Sequence, residues 1–195
     1  MLPLTGLIVI GGKSARMGTD KSLLNYYGQP QRYHVCEQLK PFCENIFISC
    51  NKEQSSTIEN EYPFIIDDEK YGDIGPMTAL LSAFDANPGH SFIMIGCDYP
   101  FFDGQDINTL IGARNENNPA VAYYNKTVNV YETLLCIYES DIEKDVRRHY
   151  HDHQYSLQGV LKQVNAGKLY PSKPLTIKSI DSVEDYKMAM EELKK

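Results

Sequence analysis

Short, unbroken runs of apolar residues alternate along this chain with segments of helical period. The unbroken runs predict strands that are buried on both faces: Leu4 to Ile10, Ile46 to Cys50, Phe64 to Ile66, Phe92 to Ile95, Ala120 to Tyr124 and Leu134 to Tyr138. Apolar residues at helical spacing predict helices over Tyr33 to Leu39, Met77 to Phe84, Ile107 to Ala113, Leu157 to Val164 and Val183 to Leu193. This alternation is typical of an α/β layered domain with a mostly parallel sheet, because a helix supplies the crossover that parallel neighbours need.

No repeat, low-complexity tract or Gly/Ser linker divides the chain, so we expect residues 1–195 to form one domain. In an open α/β sheet, ligands bind over the carboxyl ends of the strands. The loops that directly follow the predicted strands are therefore the first places to look for chemistry.

The chain has 195 residues and a formal net charge of −7, and 42% of its residues are hydrophobic. An acidic chain without a basic stripe is not typical of a nucleic-acid-binding protein, so an anionic ligand would need backbone donors, a few Lys or Arg side chains and a metal ion. No apolar run approaches the roughly 20 residues of a membrane span, and Met1 leads into the first strand without a basic signal-peptide region. We therefore expect a cytoplasmic protein with a small-molecule partner, and neither nucleic acid nor a membrane as a partner.

The cysteines do not form a pattern that indicates a disulfide framework or a zinc site. Their number is odd and no two are spaced as C-x-x-C: Cys36, Cys43, Cys50, Cys97 and Cys136. We expect all of them to be reduced, with Cys97 a small buried residue at the end of a strand.

Three histidines at two-residue spacing, His149, His151 and His153, would share one face of a strand and could there bind a metal ion. The charged and polar residues around them favour a solvated loop or the fraying end of a helix instead, and the spacing matches no metal-binding template. Binding of a phosphate-bearing ligand by these imidazoles is a third alternative.

A glycine-rich segment with two lysines and an arginine directly follows the first strand. It begins at Gly11-Gly12 and ends at Lys21. Glycines let backbone N–H groups approach an anion and the cations neutralise phosphate charge, so the segment predicts a phosphate-binding loop for a nucleotide rather than a simple tight connection. Neither G-x-x-x-x-G-K-[ST] nor G-x-G-x-x-G can be aligned with it, which excludes a Walker A loop and a dinucleotide fingerprint.

The stretch from Gly11 to Leu24 reads Gly-Gly-x-Ser-x-Arg-Met-Gly-x-Asp-Lys-x-Leu-Leu and closely resembles the signature of the molybdenum cofactor guanylyltransferases, a branch of the nucleotidyltransferases. Later segments resemble the same family in the same order: Tyr27-Gly28-Gln29-Pro30, Asn51, Asp68 to Met77, and Cys97 to Phe101. The resemblance implies a Rossmann-like, three-layer α/β/α fold of the nucleotidyltransferase type, with a mostly parallel but mixed sheet.

The resemblance also implies a reaction in which the phosphate of molybdopterin attacks the α-phosphorus of GTP and releases pyrophosphate. A phosphate nucleophile is already ionised near neutral pH, so this reaction needs positioning and charge neutralisation rather than a dedicated general base. The implied catalytic residues are Arg16, Lys21 and Asp98, with Asp98 also the ligand of Mg²⁺. An Asp at the end of a buried strand suits a magnesium ligand, whereas the alternative for Asp98 is a turn or helix cap before Pro100.

The residues implied to bind the nucleotide come from loops that follow several strands. They are Ile10, Gly11, Gly12, Lys21, Asn51, Asp68 and Asp98. Ile10 stands where the family usually has Ala, and Asp67 is an alternative to its neighbour Asp68. A carboxylate or an amide can pair with the N1–H and exocyclic amine of guanine, but Asn51 also fits an ordinary loop position.

The segment from Ser179 to Tyr186 resembles the family's Asn-x-Asn-Thr-Pro-Glu-Asp-Leu segment with both asparagines replaced, and it implies Ser179 and Asp181 as acceptor-binding residues. Asp181 would repel an anionic phosphate unless a metal ion or a lysine lies near it. Ser182, with Asp185 three residues later, also predicts a helix N-cap. A weaker resemblance to the family's acceptor side covers 131–135.

The partners implied by the resemblance are GTP, molybdopterin or the molybdenum cofactor, and other cofactor-biosynthesis proteins or chaperones of molybdoenzymes. Two alternatives remain open. One is a related nucleotidyltransferase that uses CTP, with molybdopterin or a polyol or sugar phosphate as acceptor. The other is a catalytically silent nucleotide-binding assembly protein, against which the presence of Arg16, Lys21 and Asp98 together weighs.

Overall fold

The computed structural model describes residues 3–11 and 20–194, and the centre of this described part is a seven-stranded sheet. The strands are β1 Leu4–Val9, β2 Asn45–Cys50, β3 Phe64–Ile66, β4 Ser91–Gly96, β5 Ala120–Asn125, β6 Val130–Tyr138 and β7 Gly167–Leu169. Their order across the sheet is β3-β2-β1-β4-β6-β5-β7. β6 is antiparallel to both of its neighbours, and the other neighbouring strands pair in parallel. The predicted mostly parallel, mixed sheet is confirmed.

Helices connect most of these strands. They are α1 Gln31–Leu39, α2 Lys52–Ser55, α3 Pro76–Ala86, α4 Gly104–Gly112, α5 Glu143–His151, α6 Leu157–Gln163 and α7 Val183–Glu192. Short 3₁₀ turns lie at Lys21–Leu23, Glu69–Tyr71, Ser140–Ile142 and Pro174–Ile177. Within the residues that the structure describes, no helix has the length and apolar character needed to cross a membrane.

Every strand and helix predicted from the sequence is present, although its ends shift by a few residues. The sequence pattern does not predict α2, α5 or β7. α2 and β7 are too short to show a period. α5 contains mostly charged residues and histidines, so its helical period rests on few apolar positions, of which Val146 is buried.

Helices cover both faces of the sheet, and the alternation of side chains along β1 shows the two layers. Leu7 and Val9 pack into a core with residues of α3, α5 and α6, whereas Ile8 packs on the opposite face with residues of α1 and α4. Leu7 and Ile8 are consecutive and both fully buried. The predicted three-layer α/β/α arrangement is confirmed.

The parallel strands β1, β2, β3 and β4 all end at one edge of the sheet. Because β6 is antiparallel to β4 and β5, its first residues lie at that same edge, together with the end of β5. The loops that follow these strands, and the start of β6, are therefore brought together from distant parts of the chain.

Asp103, and not Asp98, caps the helix that follows β4. The Asp103 carboxylate accepts hydrogen bonds from the backbone N–H groups of Gln105 and Asp106, at 2.8 and 3.0 Å, and the side chain of Asp106 accepts one from the Asp103 N–H. This reciprocal pair is a capping box. The alternative of a helix cap for Asp98 is therefore wrong.

We expect Asp103→Ala to lower the free energy of unfolding by ~1 kcal/mol, because two backbone donors lose their partner. Asp103→Asn keeps an accepting oxygen and should retain most of that stability. Urea titration of the two variants and the wild type measures the difference. Equal stability of the Ala variant and the wild type would contradict the assigned cap.

Candidate active site

Lys21 and Asp181 form an ion pair at the carboxyl edge of the sheet, although they are 160 residues apart in the sequence. Lys21 Nζ lies 2.6 Å from Asp181 Oδ1, and Ser179 Oγ donates to Asp181 Oδ2 at 2.9 Å. The hydrogen bond from Lys21 lowers the pKa of Asp181 below its ordinary value. A lysine therefore lies next to Asp181, which is the condition under which this carboxylate is compatible with an anionic ligand.

Asp98 follows β4 and lies beside this ion pair. Its backbone carbonyl accepts a hydrogen bond of 2.8 Å from the N–H of Ile180, which holds the segment of Ser179 and Asp181 over the end of β4. Its Oδ1 oxygen is buried and has no hydrogen-bond partner among the described residues. Burial raises the pKa of Asp98 to about 6, and the charges of Asp181 and Glu132 act in the same direction while Lys21 opposes them.

Glu132 is an acidic residue of this edge that the sequence analysis does not select. It lies near the start of β6 and accepts a hydrogen bond of 3.0 Å from the Tyr99 hydroxyl. Burial raises the pKa of Glu132 above its ordinary value. The resemblance over 131–135 points to this stretch, but only the antiparallel course of β6 places Glu132 near Asp98.

Lys21, Asp98 and Asp181 form a cluster at this edge. A cavity of about 410 Å³ lies on the β2–β3 side of the cluster. Its lining includes Gly11 at the end of β1, Asn51 after β2, and both Asp67 and Asp68 after β3. Asn51 caps α2, so its side-chain oxygen is occupied by the N–H of Gln54 at 2.8 Å. Three of the residues predicted to bind the nucleotide thus share one cavity.

Asp67 and Asp68 differ in how their oxygens are used. Asp68 accepts a hydrogen bond from the Lys70 N–H and pairs with Lys70 Nζ at 3.0 Å. Asp67 accepts from the Ser49 hydroxyl at 2.6 Å through Oδ1, and burial raises its pKa. Its Oδ2 lies on the Gly11 side, 3.4 Å from where a Cβ at Gly11 would be.

The side chain of Ile10 is buried in the core on the α1 and α4 side of the sheet. Its backbone borders the site instead: the N–H continues the pairing with β2 by donating to Ser49 O at 3.1 Å, and the carbonyl accepts from the side chain of Gln54. Gly12 and Arg16 lie outside the described residues, so the roles predicted for them stay predictions.

A second cavity, of about 770 Å³, lies on the opposite side of the cluster, beyond Ser179. Its lining includes the rings of Tyr124 and Tyr170, whose centroids are 6.1 Å apart in an edge-to-face arrangement, and the cationic residues Lys126 and Lys178. Tyr170 is 55% exposed. The exposed Tyr170 ring and the cations at the wall of this open cavity suit a flat, anionic ligand.

The three histidines at two-residue spacing line neither of the two cavities. His149 and His151 belong to α5, and His153 follows it. His151 and His153 are exposed, as expected at a helix end, but the expectation of solvation is wrong for His149, whose Nε2 lies 2.6 Å from Gln163 Oε1 between α5 and α6. All five cysteines are free, and Cys97 is buried directly after β4, as predicted.

The sequence and the fold both have known relatives. The model of the MobA-like NTP transferase domain matches residues 6–167. A molybdenum cofactor biosynthesis bifunctional protein of Synechocystis is 30% identical over 186 residues, which are 94% of this chain and 53% of that protein. A molybdenum cofactor guanylyltransferase of Shewanella sediminis is 27% identical over 62% of each chain. The chain thus spans about half to three fifths of the length of these curated relatives.

Among solved structures, a molybdopterin-guanine dinucleotide biosynthesis protein A from Archaeoglobus fulgidus has a TM-score of 0.78 and 19% identity, and the match covers 97% of this chain and 98% of that one. A nucleotidyl transferase from Methanothermobacter thermautotrophicus has a TM-score of 0.74 and 12% identity, with 98% of each chain covered. At these identities the similarity concerns the fold, and it agrees with the nucleotidyltransferase type that the sequence predicts.

The Asp98 carboxylate should reduce stability in a pH-dependent way when no metal ion is present. Its pKa is about 6 in the folded protein against an ordinary 3.8. Between these pH values the carboxylate is ionised in the unfolded chain but largely protonated in the folded protein, so the folded state loses stability as the pH rises through this range. We therefore expect Asp98→Asn, in the presence of a chelator, to raise the free energy of unfolding by at most about 3 kcal/mol at pH 8 and progressively less towards pH 4.

Denaturant titrations at pH 4, 6 and 8 measure this dependence, with Asp152→Asn as the control for the same change at an exposed position. A gain in stability that is the same at all three pH values, or a loss at pH 8, would show that Asp98 is not a destabilising buried charge.

Proposed function

Because the chain belongs to the family of MobA-like NTP transferase domains, we propose that it transfers GMP from GTP to the phosphate of molybdopterin and releases pyrophosphate. The observation that carries this proposal is the cluster of Lys21, Asp98 and Asp181 between the two cavities at the carboxyl edge of the sheet. The name of the Shewanella relative, a molybdenum cofactor guanylyltransferase, supports a guanylyl donor and a molybdenum cofactor acceptor.

The nucleotide occupies the cavity that Gly11, Asn51 and Asp67 line. Gly11 lets the backbone at the end of β1 approach the phosphates closely, because Asp67 is the only neighbour of its Cβ position among the described residues. The carboxylates of Asp67 and Asp68 can accept hydrogen bonds from the N1–H and exocyclic amine of guanine. Asp67 is the better placed of the two, since both Asp68 oxygens already face Lys70.

The acceptor occupies the cavity that Tyr124, Tyr170 and Lys178 line. The pterin ring system packs against the exposed Tyr170, and its phosphate reaches towards Ser179 and Lys21. This arrangement gives Ser179 and Asp181 a role in positioning the acceptor. Asp181 acts through Lys21, because it holds the ammonium group between the two substrates.

In the reaction, an oxygen of the molybdopterin phosphate attacks the α-phosphorus of GTP. A new P–O bond forms, the bond from the α-phosphorus to the α–β bridging oxygen breaks, and the electron pair leaves with pyrophosphate. The nucleophile is an ionised phosphate, so no side chain needs to remove a proton. Lys21, together with Arg16 of the segment that the structure does not describe, neutralises charge that shifts onto the leaving group. Gly12 of the same segment supplies a backbone N–H donor to the phosphates.

The residues present fit a magnesium ion. Asp98 Oδ1 is a buried carboxylate oxygen without a partner among the described residues, and such an oxygen gains from a hard cation. One carboxylate together with substrate phosphates is a common set of ligands for Mg²⁺. When bound, Mg²⁺ would stabilise negative charge on the phosphates.

We expect GTP with Mg²⁺ to raise the melting temperature more than CTP or ATP at equal concentration, and GMP to be transferred to molybdopterin. A ligand that binds only the folded state stabilises it by mass action, by about 2.7 kcal/mol at 100 times its Kd. Differential scanning fluorimetry and chromatography of the dinucleotide product measure the two effects. A larger shift and faster transfer with CTP would replace the guanylyl assignment with a cytidylyl one.

Lys21→Ala is the matched inactive variant in this assay. It should lower kcat by roughly 100-fold or more, as the loss of one group that stabilises the transition state does. The fold should persist, because Asp181, its partner, is 52% exposed and can be solvated. Lys162→Ala, at an exposed position of α6, controls for the loss of a lysine.

The cavity assignment predicts that Tyr170→Ala raises the KM for molybdopterin about tenfold, since an aromatic contact of about 1.4 kcal/mol is lost. The KM for GTP should not change, because Tyr170 lines the other cavity. Tyr155→Ala removes an exposed tyrosine elsewhere and is the control. A common change in both KM values would show a general loss of structure rather than a lost acceptor contact.

A further inference from the structure

The side chain of Gln54 joins the two described ends of the glycine-rich segment. Its Nε2 donates one hydrogen bond to the carbonyl of Ile10, at 3.1 Å, and another to Asp20 Oδ2, at 2.8 Å. Ile10 directly precedes the segment and Asp20 lies near its end, immediately before Lys21. One carboxamide therefore spans the two sides of the segment predicted to bind the nucleotide phosphates.

The orientation of this carboxamide follows from its contacts. Gln54 Oε1 accepts from the Asn51 N–H at 3.2 Å, and the Asn51 side chain accepts from the Gln54 N–H, which makes the capping box of α2. Nε2 faces a carbonyl and a carboxylate, which are both acceptors. A flipped amide would place its oxygen against these two acceptors, so the donor must point this way.

Asp20 links the Gln54 contact to the turn that contains Lys21. While Oδ2 accepts from Gln54, Oδ1 accepts from the Ser22 N–H at 2.9 Å, and the Asp20 carbonyl accepts from the Leu23 N–H at 3.1 Å. Asp20 is thus the N-cap of the turn that contains Lys21. The position of this turn depends on where Gln54 holds the Asp20 carboxylate.

We propose that Gln54 is a positioning residue that holds Ile10 and Asp20 together and thereby sets the place of Lys21 opposite Asp181. This inference rests on the proposed function for its consequence in catalysis, but not for the contacts themselves. Gln54 also connects this segment to the cavity lined by Gly11 and Asn51, because it closes the capping box of α2 with Asn51. The Gln54 amide donates through Nε2 and accepts through Oε1, whereas a carboxylate of the same shape can only accept.

The decisive variant is Gln54→Glu. The carboxylate keeps the acceptor for the Asn51 N–H but places a second oxygen against the Ile10 carbonyl and the Asp20 carboxylate, where it is repelled. We expect kcat for GMP transfer to fall by roughly 10- to 100-fold, as small misplacements of a positioned group do, with a smaller change in the KM for GTP. Gln54→Met loses the same hydrogen bonds without added charge and should show the same direction of change.

The double variant Asp20→Asn with Gln54→Glu reverses donor and acceptor across the contact. The amide introduced at position 20 can donate to the carboxylate introduced at position 54, while its own oxygen still caps the Ser22 N–H. The double variant should recover part of the activity lost in Gln54→Glu, because the hydrogen bond between positions 20 and 54 is restored. Gln105→Glu, the same change at an exposed position in the first turn of α4, should leave activity unchanged.

Hydrogen exchange of the Ser22 and Leu23 amides, measured by NMR without nucleotide, tests the contact independently of catalysis. These amides donate to Asp20, so they should exchange about tenfold faster in Gln54→Glu and Gln54→Met than in the wild type, while amides of β4 remain unchanged. Circular dichroism confirms that each variant is folded.

The outcomes separate the two proposals. Wild-type transfer and exchange rates in both Gln54 variants would overturn the positioning role and leave the proposed function intact. A fall in transfer without faster exchange would also overturn it, because Gln54 would then act on a substrate directly. If the wild type transfers no GMP but the Gln54 variants still show faster exchange, the contact is supported and the proposed function is rejected.

Discussion

Burial of the central sheet on both faces is the constraint on which the rest of this structure depends. Leu7 and Ile8 are neighbours in β1 and point to opposite faces, and neither has exposed surface. Polar side chains on either face would therefore lose their solvation without a partner. The chemistry is confined to the ends of the strands, where backbone groups and side chains can reach both solvent and substrate.

At this edge, close packing determines where the key carboxylate lies. A Cβ atom at Gly96, the last residue of β4, would be 2.5 Å from Asp98 Oδ1 and 2.9 Å from Leu134 Cδ1, so a larger residue there would displace the Asp98 carboxylate. The turn after β4 directs a carboxylate into a buried position in which its charge is unfavourable, as the raised pKa of Asp98 indicates. Perturbed groups of this kind are concentrated at functional sites, where a ligand relieves the unfavourable charge.

The last part of the chain completes the site. The hydrogen bond from Ile180 to the Asp98 carbonyl brings Asp181 over the end of β4, and the capping box of Ser182 and Asp185 starts α7 directly afterwards, as the sequence predicts. These residues lie beyond residue 167, where the match to the family model ends. In the proposed function, an anionic acceptor can approach Asp181 because Lys21 pairs with this carboxylate.

The amino-acid sequence by itself determines the layers of the fold and the segment that carries the phosphate-binding pattern. Strand and helix periods report which faces are buried, and this information is local, so every predicted element is present. The tertiary structure alone decides the contacts of Lys21 with Asp181, the approach of Glu132 to Asp98, and the bridge made by Gln54. These contacts depend on the order of the strands: β1 lies between β2 and β4, and β6 lies antiparallel between β4 and β5. No local pattern records that order, because it is determined by how all the buried faces pack together.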